Sequence, residues 1–357
     1  MTEPSEKKQR PSSPFDPPPS TVNVKRKSGD DRTSKDYYFD SYAHHAIHEE
    51  MLKDEVRTRT YQSAILDNKH LFKDKIVLDV GCGTGILSMF AIQAGAKHCY
   101  GVDCSSIIDQ AQLIIEKNGF ADSITLIQGK VEEIDLPVES VDILVSEWMG
   151  YFLLYESMLD TVLFARDKWL VKKDGIIFPD KAIMYISAIE DAAVKRDRID
   201  FWNDVYGFDM TPIQEIALRE PVVDVVDAKA LVTDSVPILE LDILTCTKED
   251  ATFQANFVLQ ANRNDFINGF CAYFECAFTQ VHKPIGFSTA PFCRYTHWKQ
   301  TIFYLHEAII ICEGETIIGN ISVQPNSKNR RDLDITLSLD VSGERCKMKK
   351  QLDYRLR

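Results

Sequence analysis

Long hydrophobic runs, paired cysteines and an excess of positive charge are all absent from this sequence of 357 residues. No run of about 18 apolar residues occurs, and the amino terminus has no basic segment followed by an apolar one, so we expect neither a membrane span nor a secretory leader. The nine cysteines form no Cys-x-x-Cys pair and no His–Cys cluster with zinc spacing. This pattern favours reduced thiols in the cytoplasm or nucleus, and no bound metal.

The charge balance limits the class of partner. Hydrophobic residues make up 45% and charged residues 27% of the chain, as in soluble globular proteins. With a formal net charge of −13, the surface should repel nucleic-acid phosphates and attract cationic proteins. We therefore expect no direct nucleic-acid binding and a basic protein as substrate, although an acidic surface also serves solubility alone.

Prolines and apolar residues divide the first half of the chain into two regions. Residues 1–36 hold six of the fourteen prolines and lack apolar periodicity, which predicts a disordered tail. Residues 37–178 begin with apolar side chains at helical spacing and continue as apolar runs that alternate with helical segments. These runs predict the parallel strands of a doubly wound, Rossmann-like sheet: residues 76–80, 98–102, 124–127 and 141–145.

Residues 179–357 have a different pattern. Longer β-like stretches separated by turn formers predict a β-rich second domain of barrel type. The stretches are residues 251–260, 270–281, 301–311 and 333–339. The segment at 191–210 includes Phe201, Trp202 and Phe208. It carries too many large apolar side chains for a solvated segment, so another surface should cover it.

A glycine motif, Gly81-Cys82-Gly83-Thr84-Gly85, follows the first predicted strand and precedes a helix. Gly81 and Gly83 permit a tight turn and close approach of the backbone to a ligand. Asp103, at the end of the second strand, is placed to accept hydrogen bonds from both ribose hydroxyls of a nucleotide-type ligand. Glu132, after the third strand, is placed to meet an adenine amino group. Nicotinamide cofactors use similar loops, so an NAD-dependent dehydrogenase is the alternative at this point.

Two glutamates, Glu147 and Glu156, stand nine residues apart directly after the fourth predicted strand. On a continuous helix this spacing is a rotation of about 900°, which places them on opposite faces. A bend near Gly150 is therefore needed to bring both to one ligand. Two close carboxylates repel unless a cation lies between them. A planar guanidinium satisfies both in fork geometry, which predicts an arginine substrate and argues against the dehydrogenase.

Four motifs, in this order, resemble those of the protein arginine N-methyltransferases, specifically the type I enzymes, which make asymmetric dimethylarginine. They are Tyr38-Phe39-Asp40-Ser41-Tyr42, the glycine motif, residues 146–156 (the family's double-E loop) and Thr296-His297-Trp298 (its THW loop). The resemblance covers roughly residues 37–357. One departure is Asp103, where close relatives have a glutamate, so the charge is kept but the reach is one methylene shorter.

The resemblance implies an S-adenosyl-L-methionine-dependent methyltransferase domain, a β-barrel domain and a dimerisation arm inserted in the barrel, at about residues 190–215. It implies that the N-terminal helices form a lid over the cofactor, where His48 and Arg57 make contacts and Arg57 meets the methionyl carboxylate. It also implies a homodimer or higher oligomer and a location in nucleus and cytoplasm. Histone tails and glycine-arginine-rich proteins are the expected substrates.

These residues suggest a mechanism. Glu147 and Glu156 would hold the guanidinium, draw its positive charge toward one nitrogen and leave the other aimed at the methyl donor. Tyr42 would orient the glutamates or the substrate. His297 is expected to pair with Asp54, either as a structural tie between barrel and lid or as a proton relay.

Two methionines bear on the product. Met51 and Met158 are expected to line the acceptor pocket, where the flexible side chain of Met51 should accommodate a nitrogen that already carries one methyl group. Core filling is the alternative role for both residues. An inactive scaffold with the same fold is a further alternative for the whole chain, which the retained glutamates and glycines disfavour.

Overall fold

The structure is a computed structural model that describes residues 42–357. The predicted tail at 1–36 and the first four residues of the motif at 38–42 lie outside the described residues. Within the described part, no helix is long and apolar enough to cross a membrane. No group of His, Cys, Asp and Glu side chains between residues 42 and 357 could hold a metal ion. All nine cysteines lie in this part of the chain, and none is in a disulfide.

Helices precede the first strand, as the apolar spacing predicts. Helix α1 spans His45–Lys53, α2 spans Glu55–Leu66 and a short α3 spans Lys69–Phe72. The break between α1 and α2 falls at Asp54, whose carboxylate accepts a hydrogen bond (3.0 Å) from the backbone N–H of Arg57 and so caps α2. This cap fixes how the two helices meet, and both helices, α1 and α2, line the site described below, where they are called the lid.

The first domain contains a five-stranded parallel sheet in the order β3-β2-β1-β4-β5. Its strands are β1 Ile76–Val80, β2 His98–Asp103, β3 Ile124–Gln128, β4 Ile143–Ser146 and β5 Ile176–Phe178. The connecting helices are α4 Ile86–Gln93, α5 Ile107–Lys117 and α6 Met158–Trp169. The four predicted strands and their parallel pairing are confirmed, with bounds that differ by at most two residues.

The strand order decides where a ligand can bind. The chain places β2 and β3 on one side of β1, and β4 and β5 on the other, so the order reverses between β1 and β4. Val80 and Ser146, the last residues of these two strands, are paired in register. The loops that follow them leave the sheet at the same edge, which is where ligands bind in open α/β sheets.

The second domain is an antiparallel β-barrel built from two sheets, in the orders β7-β12-β10-β6-β8, with β11 on β10, and β15-β14-β13-β9. Its strands are β6 Lys181–Ile189, β7 Val222–Asp224, β8 Val236–Asp242, β9 Phe253–Gln260, β10 Asp265–Phe278, β11 Ile285–Ser288, β12 Gln300–Ile311, β13 Thr316–Pro325, β14 Leu333–Ser342 and β15 Lys347–Leu356. The four predicted stretches correspond to β9, β10, β12 and β14. The other strands were not predicted; in β15 the outward positions are mostly charged, which hides the strand pattern.

The two domains share one hydrophobic core. Phe278, at the end of β10, packs against Phe178 at the end of β5 (5.6 Å between ring centroids) and against Tyr61 of α2 (5.0 Å). The hydroxyl of the buried Tyr61 donates to the backbone oxygen of Ser146 (2.9 Å). Helix α2, the sheet edge and the barrel are therefore held together at the place where the chain leaves β4.

Between β6 and β7 the chain forms an arm that consists of α7 (Ala192–Arg198), a 3₁₀ turn (Asp200–Asn203) and α8 (Thr211–Ala217). Six of its large apolar side chains are exposed in the single chain: Phe201, Tyr206, Phe208, Met210, Ile213 and Ile216. Tyr206 is 97% exposed and Phe208 is 69% exposed. The covering surface that the sequence predicts is not supplied by residues 42–357 of the same chain.

Candidate active site

A cavity of about 570 Å³ opens at the sheet edge, between helix α1, the first domain and the barrel. Cavities that bind small molecules typically measure about 300–1,000 Å³. All eight site residues predicted from the sequence line it: His48, Arg57, Gly81, Gly83, Asp103, Glu132, Glu147 and Glu156. Tyr42, Met51, Met158 and His297 line the same cavity. The fold thus brings residues from both domains to one space.

The glycine motif turns sharply after β1 because its glycines adopt left-handed backbone angles. The φ angle is +74° at Gly81, +53° at Gly83 and +80° at Gly85. A β-carbon on Gly83 would lie 3.3 Å from the ring of His48, and one on Gly81 would lie 2.3 Å from the methyl group of Met158. Side chains here would strain the backbone and occupy the cavity. The predicted tight turn is confirmed.

Asp103 ends β2 beside the glycine motif. One carboxylate oxygen accepts a hydrogen bond from the backbone N–H of Gly83 (2.9 Å), and the other accepts from the N–H and the hydroxyl of Ser105 (both 2.8 Å). Asp103 therefore shapes the loop. A carboxylate has about four acceptor positions, so it can still accept a hydrogen bond from a ligand hydroxyl.

Asp79 lies in β1 just before the glycine motif and is fully buried. The hydroxyl of Ser88, in α4, donates to one of its oxygens (2.7 Å), and the other oxygen has no partner among residues 42–357. Burial raises the pKa of Asp79 to about 7, and the hydrogen bonds from Ser88 only partly offset this rise. The hydrogen bond between Ser88 and Asp79 connects α4 to β1, the two elements on either side of the glycine motif.

His48 and Glu132 both line the cavity but differ in their exposure to solvent. His48, on α1, is buried, and its Nε2 lies 2.8 Å from the backbone oxygen of Tyr42, which orients the ring beside Gly83. Glu132 is exposed and accepts a hydrogen bond from the hydroxyl of Thr161 (2.7 Å). The lid side of the cavity is therefore fixed by buried contacts, whereas the side beyond β3 is open to solvent.

Arg57 reaches from α2 to Glu147. Its Nε and Nη2 each lie 2.9 Å from the same carboxylate oxygen, and both side chains are more than nine-tenths buried. Its Nη1 donates to the backbone oxygen of Met51 (3.3 Å). Removing one member of such a pair is costly because the other charge stays buried without a partner. The pair holds Glu147 at the junction of lid and sheet.

Residues 146–156 form a tight, non-helical loop that returns Glu156 to the cavity. Phe152, Leu153, Glu156 and Ser157 all have positive φ angles, between 50° and 79°. Such angles cost a non-glycine residue on the order of 1–3 kcal/mol each and persist only where the surroundings impose them. The double-E loop is thus strained, and contacts with other parts of the chain must hold it.

The bend predicted at Gly150 is present, but its cause differs from the prediction. Gly150 has no left-handed φ angle, so conformational freedom is not what requires glycine. A β-carbon at Gly150 would lie 2.0 Å from the backbone oxygen of Tyr155. Glycine is required because the two sides of the loop touch there.

Two elements outside the loop hold Glu156. The hydroxyl of Tyr42 donates to Oε2 of Glu156 (2.9 Å). The backbone N–H of Glu156 donates to the backbone oxygen of Arg331 (3.0 Å), and Nη1 of Arg331 donates to the backbone oxygen of Glu156 (3.0 Å). The carboxylate and the main chain of Glu156 are therefore oriented from opposite sides, by the lid and by the barrel.

The THW loop joins the barrel to the lid. Nδ1 of His297 lies 2.7 Å from Oδ2 of Asp54, which confirms the predicted pair. Burial would raise the pKa of Asp54, but hydrogen bonds from the side chain of His297 and from the backbone N–H groups of Arg57 and His297 keep this pKa below its usual value. The indole N–H of Trp298 donates to the backbone oxygen of Met149 (2.8 Å) and so also anchors the double-E loop.

Arg331 and Thr161 line the cavity, and our sequence analysis did not single them out. Arg331 belongs to residues 326–332, whose asparagines and charges predict a loop and nothing more. No spacing rule connects it to Glu156, which lies 175 positions earlier. Thr161 is one turn inside α6 and carries no signal of its own.

The residues present fit S-adenosylmethionine. The glycine motif leaves open a space that β-carbons would fill, and Asp103 can accept from ribose hydroxyls. Arg57 is a cation suited to a carboxylate, and Glu147 and Glu156 suit a cationic acceptor. The fold and the site define the class of the protein as an S-adenosylmethionine-dependent methyltransferase with an attached barrel.

Comparisons with known proteins give the family. Residues 77–167 match a model of the methyltransferase domain, and residues 180–344 match the arginine methyltransferase oligomerization subdomain. Protein arginine N-methyltransferase 1.1 of Arabidopsis thaliana is 57% identical over 92% of this chain and 84% of its own. Protein arginine N-methyltransferase 1 of Chlamydomonas reinhardtii is 55% identical over 92% of this chain and 94% of its own.

Solved structures of arginine methyltransferases have the same fold as this chain. A chain of the Trypanosoma brucei PRMT1 enzyme-prozyme heterotetrameric complex with AdoHcy is 46% identical, with a TM-score of 0.86 over 89% of this chain and all of that one. Arabidopsis thaliana protein arginine methyltransferase 10 is 30% identical, with a TM-score of 0.82 over 90% of this chain. The chain belongs to the protein arginine N-methyltransferases. It is an enzyme that methylates arginine with S-adenosylmethionine, and its barrel carries an oligomerisation subdomain.

Proposed function

We propose that the enzyme converts arginine residues of basic proteins to monomethylarginine and asymmetric dimethylarginine. The observation that carries this proposal is that Glu147 and Glu156, from the two ends of one strained loop, line the same cavity as the glycine motif. Histone tails and glycine-arginine-rich proteins fit the net charge of −13. Direct nucleic-acid binding does not fit it.

The acceptor guanidinium lies between the two glutamates. It has a pKa above about 12 and delocalised lone pairs, so it must be polarised before a nitrogen can attack. Glu147, fixed by Arg57, and Glu156, fixed by Tyr42, hold the fork and draw positive charge to one nitrogen. The other nitrogen is left aligned for attack.

We assign the cofactor to the space between the glycine motif and helix α1. Asp103 holds the ribose, Glu132 meets the adenine, Arg57 meets the methionyl carboxylate and His48 packs beside Gly83. When bound, the cofactor supplies an electrophilic methyl group. The tie of His297 to Asp54 keeps the barrel against the lid and shields this space from water.

Incubation with labelled S-adenosylmethionine and a glycine-arginine-rich peptide, followed by separation of the methylarginine isomers, tests the proposal. We expect label in monomethylarginine and asymmetric dimethylarginine. Label in symmetric dimethylarginine would overturn the product assignment alone. Label on lysine and none on arginine would overturn the acceptor assignment.

Substitution of Asp103 by alanine should weaken S-adenosylmethionine binding by about 10- to 150-fold, through loss of charge-assisted ribose hydrogen bonds worth about 1.5–3 kcal/mol. Loss of the loop contact to Gly83 adds to the effect. Calorimetry measures the affinity. Asp109→Ala, an exposed carboxylate in the first turn of α5, is the control and should leave affinity unchanged. Unchanged affinity in Asp103→Ala would place the ribose elsewhere.

Met51 and Met158 both line the cavity, and we propose that Met51 determines the product. A flexible methionine yields to a methyl group on the attacking nitrogen, whereas a rigid ring reshapes the space. Met51→Phe is therefore expected to lower the asymmetric share of dimethylarginine and to admit symmetric product, as measured by mass spectrometry. An unchanged isomer ratio at normal turnover would show that Met51 only fills space.

We propose that the chain forms a homodimer, in which the arm covers a surface of the partner's first domain, and that it acts in nucleus and cytoplasm. The exposed aromatic side chains of the arm support the first proposal. The absence of a disulfide among residues 42–357 is compatible with the second. Fractionation of cells that express the tagged protein tests the location.

A further inference from the structure

A barrel loop, residues 326–332, holds the main chain of Glu156. Because Glu156 has a φ angle of +79°, its backbone needs outside support. Both polar groups of its main chain are bonded to Arg331, the N–H to the backbone oxygen and the carbonyl to the guanidinium (3.0 Å each). The hydroxyl of Ser157 donates to the backbone oxygen of Arg330 (2.5 Å). The position of this loop therefore sets the direction of the Glu156 side chain.

Asn326 makes the loop rigid. Its side chain is buried, and its Oδ1 accepts from the backbone N–H groups of Lys328 (2.9 Å) and Asn329 (3.1 Å). Its backbone N–H donates to the oxygen of Asp332 (2.9 Å), which closes the loop. Its amide donates to both carboxylate oxygens of Asp334 (3.0 and 2.8 Å). Asp334, on β14, is thus the anchor of the loop.

The same carboxylate is shared with the C-terminal strand. Nε of Arg355 donates to Oδ1 of Asp334 (2.8 Å), and the two residues are register partners on β15 and β14. The backbone N–H of Arg355 donates to the oxygen of Arg219 (2.8 Å), and Arg357 pairs with Glu220. Residues 219 and 220 lie just after helix α8 and its C-cap Leu218. Strand β15 is therefore bonded to the C-terminal end of the arm.

Strand β15 is also connected to the N-terminal end of the arm. The hydroxyl of Tyr354 donates to the backbone oxygen of Tyr304 (2.9 Å). The hydroxyl of Tyr304 donates to Asp191 (2.7 Å), the residue just before α7. Four contacts thus connect the arm to Glu156: the arm to β15, β15 to Asp334, Asp334 to Asn326 of the loop, and Arg331 of the loop to Glu156.

We propose that Arg331 and Arg355 are positioning residues that couple the arm to the acceptor site, so that covering the arm in a dimer stabilises the loop at 326–332 and keeps Glu156 oriented. The proposal rests on the assigned roles of Glu156 and the arm. It explains how an assembly surface outside the cavity can change turnover without contacting substrate or cofactor.

Arg355→Gln is the first test, because its side chain is hydrogen-bonded to the loop anchor, Asp334, while its backbone keeps the arm contact. The ion pair is half exposed, and exposed pairs have modest energies, so we expect kcat to fall about two- to fivefold. KM, cofactor affinity and the dimer should be unchanged. Lys349→Gln breaks the Lys349–Asp340 pair on the same two strands, away from loop and arm, and should have no effect. Equal losses in both variants would overturn the proposal.

Arg331→Ala tests the other end. It removes the side-chain support of Glu156, and we expect kcat to fall about ten- to a hundredfold, with cofactor affinity kept. Arg331→Lys can restore one hydrogen bond and should recover part of the loss. Equal kcat in Arg331→Ala and wild type would overturn the proposal. If Glu156→Gln also retained turnover, the role proposed for Glu156 would be wrong. The turnover of Glu156→Gln therefore shows whether the proposed function or the coupling has failed.

Hydrogen exchange of the backbone amide of Glu156 tests the coupling without relying on activity. We expect slow exchange in the wild-type dimer, faster exchange in Arg355→Gln, and equally fast exchange in a monomer made by replacing Phe201, Tyr206 and Phe208 by serine. Adding Arg355→Gln to that monomer should change nothing further. Exchange at Glu156 that is equally slow in monomer and dimer would overturn the link to the arm.

Discussion

Replacement of Glu156 by glutamine should lower turnover by about 10²-fold or more while the fold and the cofactor affinity persist. Glutamine has the same size, and its carbonyl oxygen can still accept the hydrogen bond from Tyr42. The backbone bonds to Arg331 are unaffected by the side chain. The variant therefore removes the negative charge and little else, and charge is what polarises a guanidinium.

Single-turnover measurement with a glycine-arginine-rich peptide gives the effect on the chemical step, and calorimetry gives the cofactor affinity. Glu139→Gln, on an exposed loop, is the matched control and should behave as wild type. Glu156→Asp keeps the charge but shortens the reach, so its turnover should lie between those of wild type and Glu156→Gln. Turnover of Glu156→Gln within a few-fold of wild type would exclude the assigned role.

Simultaneous replacement of Phe201, Tyr206 and Phe208 by serine should give a monomer with little activity. These side chains are 48%, 97% and 69% exposed in the single chain. Burial of an aromatic side chain contributes about 1.5–3 kcal/mol, so their loss should weaken the dimer by about 10³-fold or more. Activity should fall as well, because an uncovered arm gives less stabilisation to the loop that holds Glu156.

Sedimentation velocity measures the assembly, and turnover at matched concentrations measures the consequence. The matched control replaces Phe266 and Ile318 by serine, two barrel side chains that are 52% and 56% exposed and lie outside the arm. It should remain dimeric and active. A dimer that survives the arm substitutions would refute the assembly proposal, and a fully active monomer would refute the link between assembly and turnover.

Local patterns carried much of the information about the cofactor side of the site. Alternating strands and helices predicted the parallel sheet, and the glycine motif after the first strand predicted the turn. Once β1 and β4 are neighbours, Gly81, Asp103 and Glu147 must meet at the carboxyl edge, because parallel strands all end there. Each of these inferences needs only a few adjacent residues and one rule of sheet topology.

The acceptor side of the site was harder to predict from the sequence. The two glutamates were evident, yet the reason for Gly150 was not, because crowding against Tyr155 depends on how the loop closes. Strands such as β15 were missed because an edge strand with a charged outer face lacks the apolar run of a buried one. The contacts of Arg331 could not be predicted at all, since they join two loops of different domains.

The sequence by itself determined the class of fold, a nucleotide-type ligand at the glycine motif and the identity of the paired carboxylates, because these depend on periodicity, on glycine at a turn and on residue chemistry at short spacing. The choice of S-adenosylmethionine as that ligand came from the resemblance of four motifs to a known family. The tertiary structure alone decided that Arg57 pairs with Glu147 and that Arg331 supports Glu156. It also decided that β15 connects the arm to that support. Those contacts join positions far apart in the chain, and only the packing of the barrel on the sheet brings them within hydrogen-bonding distance.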